Sequence, residues 1–304
     1  MSSTLETGTL QPAQAVEISR GPLAEALLRL RKNKIAVAGL VIICIFLIMA
    51  LFAPFIAPHD PLEQSLYDKL KPPFWDEKGD WTYPLGTDDF GRDLLSRIIY
   101  GSRISMIVGV VAVAIALFFG TLAGAVAGFY GGRIDNLIMR LMDILLAFPP
   151  ILLAIVIVAF MGPSLRNAMV AIGVVNIPRY ARLVRGSVME EYSKDYVQGA
   201  RALGARDPRL IFIHILPNCL APLIVQTTLG FASAILEAAA LSFLGLGAQP
   251  PTPEWGAMLA NGRALILRAW WAVTFPGIMI LLAVLGFNLL GDGLRDALDP
   301  RLRE

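Results

Sequence analysis

Tyr196-Val197-Gln198-Gly199-Ala200-Arg201-Ala202-Leu203-Gly204-Ala205, continuing through Ile211 and Phe212 to His214-Ile215-Leu216-Pro217, is a polar, helix-prone segment set between runs apolar enough to cross a bilayer. A connector between spans has no need of such regular structure unless another protein grips it. The segment is therefore a candidate for receiving force from a partner, and the chain around it is a helical membrane bundle.

Composition agrees. The 304 residues are 56% hydrophobic and only 16% charged, with a mean hydropathy of +0.63, beyond what a soluble domain of this length carries. A net charge of +2 is too small to point to nucleic acid. Cys44 and Cys219 lie far apart, without metal or redox spacing, and read as packing residues. Six runs are long enough to span, at about 20 apolar residues each: Ile35–Ala57, Ile104–Phe129, Leu141–Met161, Ala168 to about Val184, Leu220–Leu244 and Trp270–Leu290. The expected fold is an all-α integral membrane protein with six transmembrane helices. The fourth run is the weakest, because Arg179, Arg182 and Arg185 follow its apolar core on one helical face and must snorkel or continue into solvent.

Cationic residues near span ends set orientation. Placing the amino terminus inside puts Arg29 to Lys34, Arg133, the Arg179 to Arg209 set and Arg295, Arg301 and Arg303 in the cytoplasm. Both termini and the Tyr196–Pro217 segment then share that side. The first apolar run is too long for a signal peptide and lacks a small-x-small cleavage site, so it reads as an uncleaved anchor. Residues 1–21 read as a disordered tail. Residues 22–34 place Leu23, Leu27 and Leu30 on one face, the pattern of a helix lying on the inner leaflet. Residues 35–57 form the first span, and 58–103 an outer loop in which acids outnumber bases. Residues 104–291 hold the remaining spans, and 292–304 a cytoplasmic tail.

Within the spans, Ala112, Ala116, Gly120, Gly124 and Gly128 recur at every fourth position, a stripe suited to close helix crossing. Pro149-Pro150 removes two backbone donors and is expected to kink or break the third span. The chain has no Gly-x-x-x-x-Gly-Lys-Ser/Thr loop, and none of its lysines follows a glycine, so it carries no phosphate cradle of its own. His59 and His214 have no companions at metal-ligand spacing, and no nucleophile–base set converges, so neither a metal site nor a catalytic residue is expected. Two acids lie inside spans. Asp143 stands one turn beyond Arg140, and a local ion pair or the helix amino terminus accounts for it. Glu237 lies deeper, a candidate for the bundle interior or a transport path. A secondary carrier using these two as a proton relay is the alternative class of function, and a membrane-embedded enzyme ranks below it.

The Tyr196–Pro217 segment resembles the EAA loop of bacterial ABC importer permeases, about residues 190–217 here. Gln198-Gly199-Ala200, Gly204 and His214-Ile215-Leu216-Pro217 fall at that loop's spacing, with Gln198, Gly199 and His214 departing from its usual residues. The stretches Pro84–Gly101 and Asn136–Pro149, together with Gly247–Gly256 and Gly291–Pro300, are similar to signatures of the oligopeptide and dipeptide permeases of the C type. That resemblance covers the chain from about residue 22 and implies a type I ABC importer permease fold with a cytoplasmic coupling helix. The cargo it implies is a dipeptide, with nickel or longer peptides next.

The partners implied are a homologous B-type permease, two cytoplasmic ATPase subunits that bind the ATP and Mg, and a periplasmic binding protein, in the bacterial inner membrane. No cofactor is implied in this chain. Tyr196, Arg201, Leu203 and Ala205 join the motif positions as coupling residues. Gly204 suits a turn between two short helices, having no Cβ to obstruct close approach, and Pro217 is expected to end the second. Thr87–Tyr100, with Leu94, Leu95, Ile98 and Ile99 on one face, is expected to lie along the outer membrane interface.

Overall fold

The computed structural model describes residues 30–298. The tail 1–21, most of the stretch 22–34 and residues 299–304 lie outside the described residues. Asn33 caps α1 (Lys34–Leu51), its side-chain oxygen accepting from the Ile35 and Ala36 N–H groups at 3.0 and 3.2 Å. The helix stops short of Ala57 because Pro54 cannot donate back to the preceding turn, and a separate turn, Ala53–Ile56, follows.

α2 (Leu94–Tyr130) starts where Asp93 accepts from the Ser96 N–H at 2.9 Å and ends at Gly131 and Gly132, with φ of 62° and 54°. Its 37 residues extend about 55 Å against a hydrocarbon layer of about 30 Å, so one end continues as helix beyond the bilayer. This corrects the expectation that Thr87–Tyr100 lies flat on the interface. Leu94 and Ile98 share a core with Trp255, whose indole N–H donates to the Ile98 carbonyl at 3.1 Å, so the apolar face is covered by protein.

α3 (Gly132–Leu146) and α4 (Pro150–Met161) are bent 89° from each other, the Pro149-Pro150 pair standing at the break. Next comes α5 (Leu165–Tyr192), capped by Ser164, which runs through Arg179, Arg182 and Arg185 without interruption. The expected coupling segment holds α6 (Asp195–Ala202), and the chain then leads into α7 (Leu220–Phe243). A short α8 (Trp255–Gly262) precedes α9 (Trp271–Leu298). The tail expected from residue 292 is still helix as far as Leu298. Its Gly293 presses on Ala36 of α1 so closely that any Cβ would collide, and Gly39 of α1 meets the Gly286 backbone in the same way.

Among the described residues there is no strand, only an isolated bridge between Thr87 and Asp93. Four helical stretches are long and apolar enough to cross a membrane, or five if the bent pair α3 and α4 is one span. α5, the fourth of the six expected, has the length but carries its three arginines within it.

The most extensive helix contact joins α2 to α5. Ala112 and Ala116 are buried there. A Cβ on Gly120 would strike Tyr180, one on Gly124 the Ala181 carbonyl, and one on Gly128 would come within 2.8 Å of the Arg185 carbonyl. Between apolar helices in lipid the driving force is packing, and the absent side chains are what let the backbones meet. Gly124→Val is therefore expected to cost about 1–3 kcal/mol by overpacking, read as a lowered thermal midpoint of the purified protein in detergent. An unchanged midpoint would remove the α2–α5 crossing as a source of stability.

Candidate functional site

The Tyr196–Pro217 segment folds as an elbow at one end of the bundle. α6 closes with the double hydrogen bond of a Schellman motif: the Ala205 N–H donates to the Ala200 carbonyl at 3.1 Å and the Gly204 N–H to the Arg201 carbonyl at 2.9 Å. Gly204 sits at φ 86°. A Cβ on it would meet nothing within 4 Å, so the glycine answers a backbone requirement and not the close approach expected of it.

Beyond the turn the chain stays helical, with Leu210–Ile215 as π-helix and Leu216–Cys219 as 3₁₀-helix. Asp207–Phe243 is thus one continuous helical stretch. Pro217 does not end a helix as expected. The change of hydrogen-bond register just before it accommodates the missing donor.

The elbow is pinned on one side and bare on the other. Val197, Leu210 and Ile215 are fully buried in the same core as α2, α5 and α7. Leu203, at the tip, is 91% exposed, and Phe212 and Ile213 are exposed beside Arg206 and Arg209. Most of the expected coupling side chains hold the elbow together. The Tyr196 hydroxyl donates to Glu191 Oε2 at 2.5 Å and accepts from Asn218 Nδ2 at 3.0 Å. Burial, then the Glu191 carboxylate, pushes the Tyr196 phenol up to about 12. Gln198 Nε2 donates to the Tyr192 carbonyl at 2.8 Å, satisfying the end of α5.

Arg201 donates to the Tyr192 hydroxyl and lies over the Phe129 and Tyr192 rings, 5.5 and 5.0 Å from their centroids. The His214 carbonyl accepts from Asn218 Nδ2 at 2.7 Å. Ala200, Ala205 and Leu216 are half-buried against the core, while Gly199 faces open space. Beside the elbow lies a cleft of about 590 Å³, lined by Glu190, Glu191, Lys194, Asn218, Gln226 and Arg295 among others.

The two acids expected inside spans are separate from the elbow and from each other. Asp143 pairs with Arg182 at 2.6 Å, not with Arg140, and it stands near the carboxyl end of α3, not at a helix amino terminus. Among the described residues the cross-helix guanidinium, not the neighbour one turn back, comes within ion-pair distance. Glu237 accepts from Asn176 Nδ2 at 2.9 Å, and the Asn176 side-chain oxygen accepts in turn from Arg179 at 3.2 Å.

Two partners went unnoticed in the sequence. One is Asn176. The other is Asp135, buried and held by Arg185 in a bidentate pair at 2.5 and 2.6 Å. Three arginines on one face of α5 demanded acceptors, and Asp135 and Asp143 on α3 were the signal available. Among the described residues no three His, Cys, Asp or Glu side chains gather as a metal set.

Residues 120–304 match the family described as the binding-protein-dependent transport system inner membrane component, and residues 21–73 match the N-terminal TM domain of oligopeptide transport permease C. The di/tripeptide transport system permease protein DppC of Pseudomonas aeruginosa (strain UCBPP-PA14) is 55% identical to this chain, covering 93% of each. The dipeptide transport system permease protein DppC of Escherichia coli (strain K12) is 54% identical over 93% of this chain and 94% of that protein. That of Haemophilus influenzae (strain ATCC 51907 / DSM 11121 / KW20 / Rd) is 53% identical over 93% and 96%. In three dimensions the chain is similar to one from the inward facing conformations of the MetNI methionine ABC transporter, with a TM-score of 0.55 at 17% identity, covering 67% of this chain and 96% of that one. At that identity the likeness speaks for the fold.

The two elbow glycines respond oppositely to alanine. Gly204→Ala forces a left-handed conformation costing about 1–2 kcal/mol, whereas Gly199→Ala, inside α6 with open space around it, gains about 0.5–1 kcal/mol. Amide hydrogen exchange across residues 195–205 should speed up in the first and slow in the second. Equal exchange in both would refute this reading of the turn.

Proposed function

The chain belongs to the family of binding-protein-dependent transport system inner membrane components, and on that premise we propose that it is the permease subunit forming half of the translocation pathway for dipeptides in an ATP-driven importer. The observation that carries the coupling half of this reading is the elbow, pinned to the core through Val197, Leu210 and Ile215 with its tip bare. A lever needs that arrangement. Leu203, Phe212 and Ile213 offer exposed apolar side chains, with the exposed Arg206 and Arg209 between them in sequence, fit to seat in a groove of an ATPase subunit. ATP and Mg belong to two such subunits, since this sequence has no phosphate-binding loop. A homologous B-type permease supplies the other half of the pathway, and a periplasmic binding protein delivers the peptide to the opposite end.

The orientation follows from charge. The elbow and both termini face the cytoplasm, and the acidic 58–93 loop faces the periplasm. The relatives named for dipeptides and for di- and tripeptides favour that cargo over nickel or longer peptides. A proton relay through Asp143 and Glu237 is disfavoured, because the first is engaged by Arg182 and the second by Asn176, with no hydrogen-bonded chain between them among the described residues.

Gly204→Pro should leave membrane insertion intact while peptide-stimulated ATP turnover of the assembled complex falls to its unstimulated level. Full stimulation in that variant would sink the coupling role. Uptake of a labelled dipeptide into proteoliposomes should survive an uncoupler and stop on ATP depletion, and the reverse result would restore the secondary carrier.

A further inference from the structure

We propose that the lobe around Phe74, Trp75 and Trp81, together with Trp270 and Phe275, is a membrane anchor seated in the phospholipid headgroup layer at the end of the bundle opposite the elbow. The chain has five tryptophans. Trp255 and Trp271 are buried, and their indole N–H groups donate to the Ile98 and Thr87 carbonyls, each at 3.1 Å. The other three are 52%, 74% and 42% exposed at Trp75, Trp81 and Trp270. All three belong to one aromatic cluster. Phe74 stacks on Trp81 at 4.0 Å between centroids and meets Trp75 edge-on at 5.0 Å, while Phe275 joins Trp75 at 6.0 Å to Trp270 at 5.9 Å. None of these three indoles bonds to another described residue, which leaves each with an apolar ring and an unused donor. That combination is what the bilayer interface favours, with ester and phosphate oxygens above the tails.

The position fits as well. The apolar run of α9 lies between Arg268 and Asp292, and Trp270 stands at its first boundary. Trp270 also heads the exposed face of that helix, continued by Thr274, Ile278, Leu281 and Leu285, so the cluster caps an apolar face that this chain leaves uncovered. The lobe is built to hold its shape. Gly79 lies against the Pro73 carbonyl, where any side chain would prise the two arms apart. Lys71 ties Asp68 at 2.8 Å to Asp80 at 3.2 Å across the base, and its hydrogen bonds hold both carboxyls below their usual range. Asp76, Glu77 and Lys78 stay exposed at the tip, where water or headgroups receive them.

The anchor rests on the chain's place in a bilayer, not on its cargo or sidedness. The test uses the assembled transporter in nanodiscs made with lipids brominated at shallow or deep acyl positions. The signal is the tryptophan emission lost in the triple variant Trp75→Phe, Trp81→Phe, Trp270→Phe relative to the unaltered complex. Shallow bromine should quench that component at least about twofold, and deep bromine less. Trp81→Phe alone, which alters the most exposed of the three, repeats the measurement should the triple variant assemble poorly. Emission insensitive to brominated lipid overturns the anchor: quenching by aqueous iodide or a change on adding the binding protein marks a docking face, and silence to all three marks a face covered by another subunit. A wrong orientation or a different cargo would leave lipid quenching intact.

Discussion

The close crossing of α2 and α5 is the constraint from which the rest of the bundle takes its position. With no hydrophobic effect to drive helices together in lipid, contact area must come from backbone approach, and the small-residue stripe on α2 supplies it. At Gly120 the crossing seats Tyr180, which is 1% exposed and whose hydroxyl reaches the Gln226 carbonyl of α7 at 3.4 Å. At Gly128 it fixes the backbone of Arg185, whose guanidinium then holds Asp135 of α3. One packing contact thereby sets the place of α7 and of the bent pair that follows α2.

Polar groups within the bundle follow from the same geometry. Arg179, Arg182 and Arg185 stand on one face of α5, and each finds an acceptor: the Asn176–Glu237 pair, Asp143 and Asp135. A charge left alone in hydrocarbon is costly, so such a face is stable only where neighbouring helices bring oxygen atoms to it. The bend at Pro149-Pro150 separates α3, which carries the two aspartates, from an uncharged continuation, α4.

Features governed by local spacing were legible in the sequence. The stripe of small residues, the Pro149-Pro150 break and a turn at Gly204 each depend on a few neighbouring positions. Features that need a partner from far along the chain were not. Asp143 read as the partner of Arg140 because that residue is one turn away, while Arg182 is nearer only once α3 and α5 are folded together. Thr87–Tyr100 read as interfacial because its amphipathic face gives no sign that Trp255 will cover it. Pro217 read as a terminator because nothing in the sequence announces that the preceding turn widens to a π-helix.

That last departure bears on how the elbow can act. A helix ending at Pro217 would leave a joint between elbow and span, and a push on Leu203 could be absorbed there. Instead Asp207–Phe243 is one helical stretch, with its near end buried through Leu210 and Ile215 and its far part carrying Glu237 against Asn176. Under the proposed coupling, displacement of the tip must therefore appear as movement of α7 itself. The turn at Gly204, with its positive φ, lies on the partner's side of the buried anchor. The π turn before Pro217 keeps the chain helical where a break was expected, and the polar contact between Glu237 and Asn176 lies on the helix that the proposed coupling would move.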